Sequence, residues 1–494
     1  MNTSIDSVRG MRDVLSAEHR HLAQVQAVLA QHFAHYGYHP IDVPIIEHRD
    51  LYLRKMGEEL VGKIYEFSFE GRELALRPEW TASVLRAYIA HMQDSPLPVR
   101  LSYSGPAFRY QRPQRSTYRQ FTQTGIELIG GTTPRGDAEA IALACDGLAA
   151  LNLHDYQILV SHIGVVRQAL DQLGLTERTK STLTWNMSRV RAQGKEVLRE
   201  KLGEQQSTDL PFDPKVIDGL NDEEATTAVL AIAQTLGLDL SFGSRTPEDI
   251  VGRLVRKLRR DDPQPLLDRA IDLLWQLSQI RGTPNEALSQ ASALFHHTGI
   301  TVPALQEIRT IFQLIEMHGV DLNRVTLDFG MGRGLYYYTG MIFEIYDTNK
   351  SQICGGGRYD DLISALGGRQ ATPAIGFSYG LERLVSTLSA SDASYEAESP
   401  LQRVVSVVPI SGDDYEYAVH LAQQLRQYGF PAMLDVRERN VTNNMRDANR
   451  RGIPYVAIVG EEERQHRCCE WCTLATGDKQ RIFLEDLPNL IDHL

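Results

Sequence analysis

The chain has 494 residues, 42% of them apolar, with 51 basic and 63 acidic side chains and a net charge of −12. That length is too great for one compact core and implies two or three domains. The negative balance excludes indiscriminate coating of nucleic acid through overall charge, although it leaves local basic grooves open.

No uninterrupted apolar run is long enough to cross a bilayer, and the opening MNTSIDSVRGMRD lacks the apolar stretch of a secretory signal, so a cytoplasmic chain without membrane contact is expected. Three of the five cysteines are bunched at Cys468, Cys469 and Cys472 rather than spaced as a framework of pairs, and reduced thiols are expected.

In chain order, Ala17 to Tyr36 carries apolar residues at helical spacing and stops at Gly37, after which IDVPII reads as a strand broken by Pro44. From Glu73 to about Gly131, the runs ELALRP, VRLSYSGPAFRY and QFTQTGIELIG alternate with polar loops, the pattern of a mixed or antiparallel sheet. Residues 135–152 return to helix. Amphipathic stretches such as AIDLLWQLSQI and EIRTIFQLIEMHG then predict a mainly helical insertion over 161–319.

Strand-like segments resume at VTLDFGMGRGLYYYTGMIFEIY, continue to ICGGGRYD and PAIGF, and lead into a helix near Ser378, so the sheet is closed from distant parts of the chain. Residues 389–402, SASDASYEAESPLQ, have the composition of a linker. Over 403–494 strands and helices alternate: VVSVVP, a helix from Asp413 to Tyr428, PAMLDV, a helix from Thr442 to Arg451, and YVAIVG. This is the order of an α/β layer domain.

Four segments carry possible chemistry. GPAFRYQRPQ, from Gly105, ends a strand and lies in a stretch with five arginines between positions 100 and 119. Such a loop suits a triphosphate, and equally a solvated basic surface. The tyrosines behind Arg333 suit a flat polar ring or plain sheet packing; Gly355 to Gly357 permit close backbone approach or a turn; and Arg383 sits one turn into a helix, where phosphate can be met. HRCCEWC gathers His466, Cys468, Cys469 and Cys472 but lacks the second, separated ligand pair of a usual zinc site. It reads as strand and turn, so no side-chain metal site is expected there, and Cys145 and Cys354 read as packing residues.

Taken in order, RGMRD, GYHPIDVPIIE, LRPE-x-T, FRYQRPQ, RGLYYYTG, GGGRYD and GLERL resemble the histidyl-tRNA synthetase family of class II aminoacyl-tRNA synthetases, and the pattern spans nearly the whole chain. The resemblance implies an α+β fold: a class II antiparallel sheet flanked by helices, built from residues 1–160 and 320–388, with the helical insertion and a C-terminal anticodon-binding-like α/β domain. It implies ATP as substrate with Mg²⁺, histidine, histidine tRNA as partner, and a homodimer formed through the segment around Pro44. Arg109 and Arg383 would hold phosphates, and Arg333 would steady the charge that develops between the histidine carboxylate and the α-phosphate. Gln111, Tyr118 and Phe121 would complete the ATP site. Glu79, Thr81, Gln123, Glu127, Tyr338 and Tyr359 match histidine-contacting positions. Gln114 and Arg119, together with a C-terminal basic face of Arg437, Arg439, Arg446, Arg450 and Arg451, would meet tRNA.

Four positions depart from the family pattern. Gln111 replaces a glutamate that accepts from the adenine amino group, Trp80 a glycine, Tyr336 an aspartate and Thr117 a basic residue. SHIGVVRQAL and FTQTGIELIG also look like segments of the synthetase-like regulatory subunit of ATP phosphoribosyltransferase. A histidine-binding regulator that partners that enzyme's catalytic subunit is therefore a second reading, against which the C-terminal domain stands.

Overall fold

The computed structural model describes residues 5–54, 61–112, 117–206, 216, 220–236, 246–258, 262–332, 337–390 and 403–488. The expected linker lies almost wholly outside them. The chain divides into two compact units, Met1–Tyr395 and Glu396–Leu494.

The first unit opens with the helix Ser16–His35, which buries Val25, Leu29 and Phe33 at four-residue spacing. It ends where Gly37 takes φ +78°, a conformation cheap only for glycine. The strand expected over IDVPII is largely absent: only β1 (His39–Pro40) and β2 (Ile46–His48) pair on either side of it. Pro40 and Pro44 supply no ladder donors. The intervening carbonyls are met from elsewhere, the Arg77 side chain donating to Val43 O at 2.7 Å and its backbone N–H to Ile45 O at 2.9 Å.

β2 joins β4 (Arg72–Leu76) and β3 (Glu66–Phe69) in an antiparallel sheet of order β2-β4-β3. The main sheet adds to β1 the strands β5 (Val99–Phe108), β6 (Gln120–Ile129), β7 (Tyr156–His162), β8 (Arg281–Gly282), β9 (Val325–Asp328), β10 (Met341–Asp347), β11 (Gln352–Arg358) and β12 (Ala374–Gly380). Their order is β1-β5-β6-β12-β11-β10-β7-β9-β8, antiparallel except at the β1–β5 and β7–β9 pairs. β6 thus pairs with β12, and β7 with β10, across long sequence gaps.

The core under this sheet extends into the helical stretch. Val165, Leu183, Leu274, Ile308 and Ile311 share one cluster with Ile126, Phe343 and Phe377. Each such side chain contributes roughly 1.5–3 kcal/mol on burial. The helices Asp222–Thr235 and Pro247–Leu258 form a separate small cluster of Ala225, Val229, Val251 and Val255. Behind the sheet, Arg358 of GGGRYD is 2% exposed and donates to the wholly buried Asp137 of helix Arg135–Ala150 and to Gly131 O, fastening β11 to that helix.

The second unit has the sheet order β14-β13-β15-β16-β17, made of β13 (Val405–Pro409), β14 (Ala432–Leu434), β15 (Tyr455–Val459), β16 (Cys468–Thr473) and β17 (Lys479–Phe483). Pairing is parallel within β14-β13-β15 and antiparallel beyond. Alternation along each strand feeds two cores: Val405 and Val407 face Leu421 and Leu425 of helix Tyr415–Gln427, while Val404 and Val408 face Ala448 of helix Val441–Arg450. HRCCEWC follows the same rule, with Cys469 and Trp471 in one core and Cys472 in the other. Among the described residues no helix is long and apolar enough to cross a membrane.

Candidate active site

A cavity of about 380 Å³ opens where β5, β6, β11 and β12 meet the start of helix Thr81–His91, a size typical of small-molecule sites. Two buried carboxylates stand at it, Glu79 in its wall and Glu127 beneath, bonded to the lining residues Thr81, Tyr103 and Tyr359. Glu79 is 3% exposed. It accepts from the backbone N–H groups of Thr81 at 2.7 Å and Ala82 at 2.9 Å, first-turn donors the helix cannot satisfy itself. Burial pushes its carboxyl above the usual range, and those hydrogen bonds oppose the shift.

Glu127 on β6 is wholly buried. Its Oε1 accepts from Thr81 Oγ1 at 2.7 Å and from the Tyr103 hydroxyl at 3.2 Å, and its Oε2 accepts from the Tyr359 hydroxyl. Burial drives this carboxyl well upward, and the Thr81 hydroxyl opposes it. Gly376 lies directly opposite in register, and a Cβ there would stand 1.9 Å from Glu127 Oε2. Nearby, Gln123 donates to Ser378 Oγ at 2.9 Å, but its own amide oxygen is buried with no donor among the described residues. Because buried acceptors rarely go unmet, this atom is available to a donor on a bound ligand.

Tyr338 and Tyr359 also line the cavity. Tyr337 stands between them, 4.8 Å from Tyr338 and edge-on to Tyr359 at 5.7 Å between ring centroids. Trp80 does not line it. Its indole is 1% exposed, stacks on Tyr103 at 4.9 Å, lies under the Arg77 guanidinium and donates to Gly105 O, so the bulk that replaces glycine goes into the core.

Two guanidiniums line the same cavity. Arg109 donates from Nε to Pro78 O at 2.7 Å and lies 5.2 Å from the centroid of the Phe121 ring. Arg383 donates to Gln352 O at 3.1 Å and to Thr117 Oγ1 at 3.2 Å. Gln111 donates its amide to Tyr118 O at 2.8 Å, and Tyr118 carries Arg12 4.2 Å over its ring. Arg119 is tied to Arg9 O and Gln111 O and covers Tyr110, so it fastens the N-terminal segment to this loop. Arg333, Gln114 and Tyr336 lie outside the described residues.

Sequence reasoning missed Lys63, Tyr103, Glu344 and Glu382, all of which line the cavity. Glu344 carried a readable signal as the lone charge in MIFEIY, and Glu382 as the neighbour of Arg383 in GLERL. Glu382 accepts from Thr122 N–H at 2.9 Å, and Glu344 from the Gln352 amide at 2.9 Å. In the second unit Arg437, Arg446 and Arg450 are exposed. Arg439 is drawn inward by Asp435 at 3.0 Å and Asp447 at 2.9 Å. Arg450 and Arg451 also pair with Asp447.

Residues 10–231 and 253–384 match the histidyl-tRNA synthetase family model, and residues 404–494 match that of an anticodon binding domain. The histidine–tRNA ligase of Methanocaldococcus jannaschii is 30% identical over 97% of this chain and 98% of its own length. That of Thermococcus kodakarensis is 30% identical over 99% of both. Among solved structures, histidyl-tRNA synthetase from Nostoc sp. covers all of both chains at 21% identity with a TM-score of 0.65. A protein described as an ATP phosphoribosyltransferase regulatory subunit/histidyl-tRNA synthetase from Bacillus halodurans covers 93% of this chain and 99% of its own at 20% identity, with a TM-score of 0.63. Those two likenesses speak to the fold, whereas the matched residues and the full-length relatives speak to descent: the chain belongs to the histidyl-tRNA synthetase family.

Proposed function

We propose that this chain is a histidine–tRNA ligase that acts in two steps. A histidine carboxylate oxygen attacks the α-phosphorus of ATP, the bond to pyrophosphate breaks, and histidyl-adenylate forms. A ribose hydroxyl of histidine tRNA then attacks the adenylate carbonyl and AMP leaves. The observation that carries this reading is that one cavity is lined by Glu79 and Gln123, with Glu127 buried beneath it and bonded to its lining residues Thr81, Tyr103 and Tyr359, and also by the guanidiniums of Arg109 and Arg383. Acceptors suit the ammonium and imidazole donors of histidine, while guanidiniums suit a triphosphate. A protein that only sensed histidine would need the first set alone.

In this reading Thr81, Tyr338 and Tyr359 complete the amino-acid pocket, while Gln111, Tyr118 and Phe121 border the nucleotide. Arg109, Arg383 and Arg333 stabilise charge as the attack proceeds. Glu344 and Glu382 offer carboxylate oxygens on the cavity wall. They fit Mg²⁺, a hard cation that would neutralise charge on the phosphates when bound. The division of labour follows the expected domains: adenylation by 1–160 with 320–388, tRNA contact by 403–494 through Arg437, Arg446 and Arg450, and the helices of 161–319 between. A cytoplasmic homodimer completes the proposal. It is supported by the resemblance around Pro44 and by exposed Ile45, Ile46, Phe67 and Phe69 on and beside the β2-β4-β3 sheet.

Histidine-dependent exchange of labelled pyrophosphate into ATP tests the first step. The purified chain is expected to exchange with histidine and not with other amino acids. Histidine binding without exchange would leave the regulator as the better reading.

A further inference from the structure

The segment entering the cavity from β9 runs Asp328-Phe329-Gly330-Met331-Gly332, and Gly332 is itself part of the cavity wall. Arg333, proposed above to act on the reacting carboxylate, is the next residue in sequence. The segment rests on helix Glu177–Gln193 of the helical stretch. Arg191 of that helix grips Asp328 with both terminal nitrogens at 2.7 Å and donates from Nε to Ser278 O at 2.6 Å. Asp328, its side chain 4% exposed, accepts in turn from Gly330 N–H at 2.8 Å.

The fit is close enough to require both glycines. A Cβ on Gly330 would lie 2.7 Å from Arg191 Nη2, and one on Gly332 would lie 2.9 Å from Ser188 Cβ, one turn earlier on the same helix. Ser188 and Arg191 are three residues apart and so share a helix face, which forms the bed of this segment. A planar guanidinium bound in two places on a buried carboxylate fixes orientation as well as distance. Lysine has no equivalent geometry.

Resting on the ligase reading, we propose that Arg191 is a positioning residue for adenylation: through Asp328 it sets the backbone of the segment that ends on the cavity wall at Gly332. The helical stretch is then part of the catalytic apparatus, and a force applied to helix Glu177–Gln193 is felt at the site.

The test compares the wild-type chain with Arg191→Met, Arg191→Lys and Arg191→Met/Asp328→Asn in pyrophosphate exchange, with thermal melting measured on the same samples. Arg191→Met should lower kcat at least about tenfold while KM for histidine and for ATP stays within about threefold, because the pocket acceptors lie on other strands. Arg191→Lys should recover only part of the loss. The double variant, which leaves no unpaired buried charge, should regain melting temperature without regaining kcat. If the double variant, or Arg191→Met corrected for folded fraction, exchanges at the wild-type rate, Arg191 is a structural residue and the assignment falls. A wild-type chain silent in exchange would overturn the ligase reading and this one with it, an outcome distinct from equal rates in wild type and variant.

Discussion

Glu127 shows how a carboxylate can be buried at a cost to stability. It is wholly buried and accepts from three hydroxyls, and burial raises its carboxyl well above the ordinary range. A carboxyl raised in the folded state stabilises the fold fully below its unfolded pKa, and that contribution is lost as pH rises through the folded one. Glu127→Gln keeps an acceptor without the charge. Its melting temperature should therefore exceed that of the wild type by a margin that widens as pH rises above the unfolded carboxylate value of about 4, while histidine-dependent exchange falls. A margin that is constant with pH would mean the carboxylate is not desolvated as described. Gly376→Ala should lose exchange for a steric reason, since its Cβ would meet the same carboxylate. The direction of a side chain was the hardest thing to read from sequence. Trp80 stands between Glu79 and Thr81, which both line the cavity, but its path into the core depends on Tyr103 and Gly105 of β5, more than twenty residues away.

At the scale of elements, local pattern read well wherever one face was buried. Val25, Leu29 and Phe33 mark the first helix, Gly37 its end, and the alternation in VVSVVP a strand covered on both faces. It failed over IDVPII, where apolar content suggested a strand but Pro44 supplies no ladder donor, leaving Val43 O to an arginine thirty-four residues on. The Arg358–Asp137 pair was equally hidden, because it joins GGGRYD to a helix 221 residues earlier. Breaking a buried ion pair from one side leaves an uncompensated charge. Arg358→Met should thus cost about 3–5 kcal/mol in denaturant unfolding, whereas Arg369→Met, which breaks an exposed pair with Asp94, should change little. Comparable losses in the two variants would refute the distinction.

For the whole molecule, seven short motifs in order made the family legible, and the paired strands from distant sequence follow from that family's sheet. The intimacy of the helical stretch with the sheet did not follow, since periodicity marks a buried face without saying what covers it. If the two units divide the work as proposed, removing residues 396–494 should abolish tRNA charging and spare pyrophosphate exchange, because every residue lining the cavity lies in the first unit. Sedimentation should show a dimer at micromolar concentration, and a monomer there would remove the second copy from the account. The most direct test is charging of tRNA with labelled histidine by the full-length chain. The account predicts ATP-dependent formation of histidyl-tRNA, confined to histidine tRNA; histidine binding with neither exchange nor charging would contradict it.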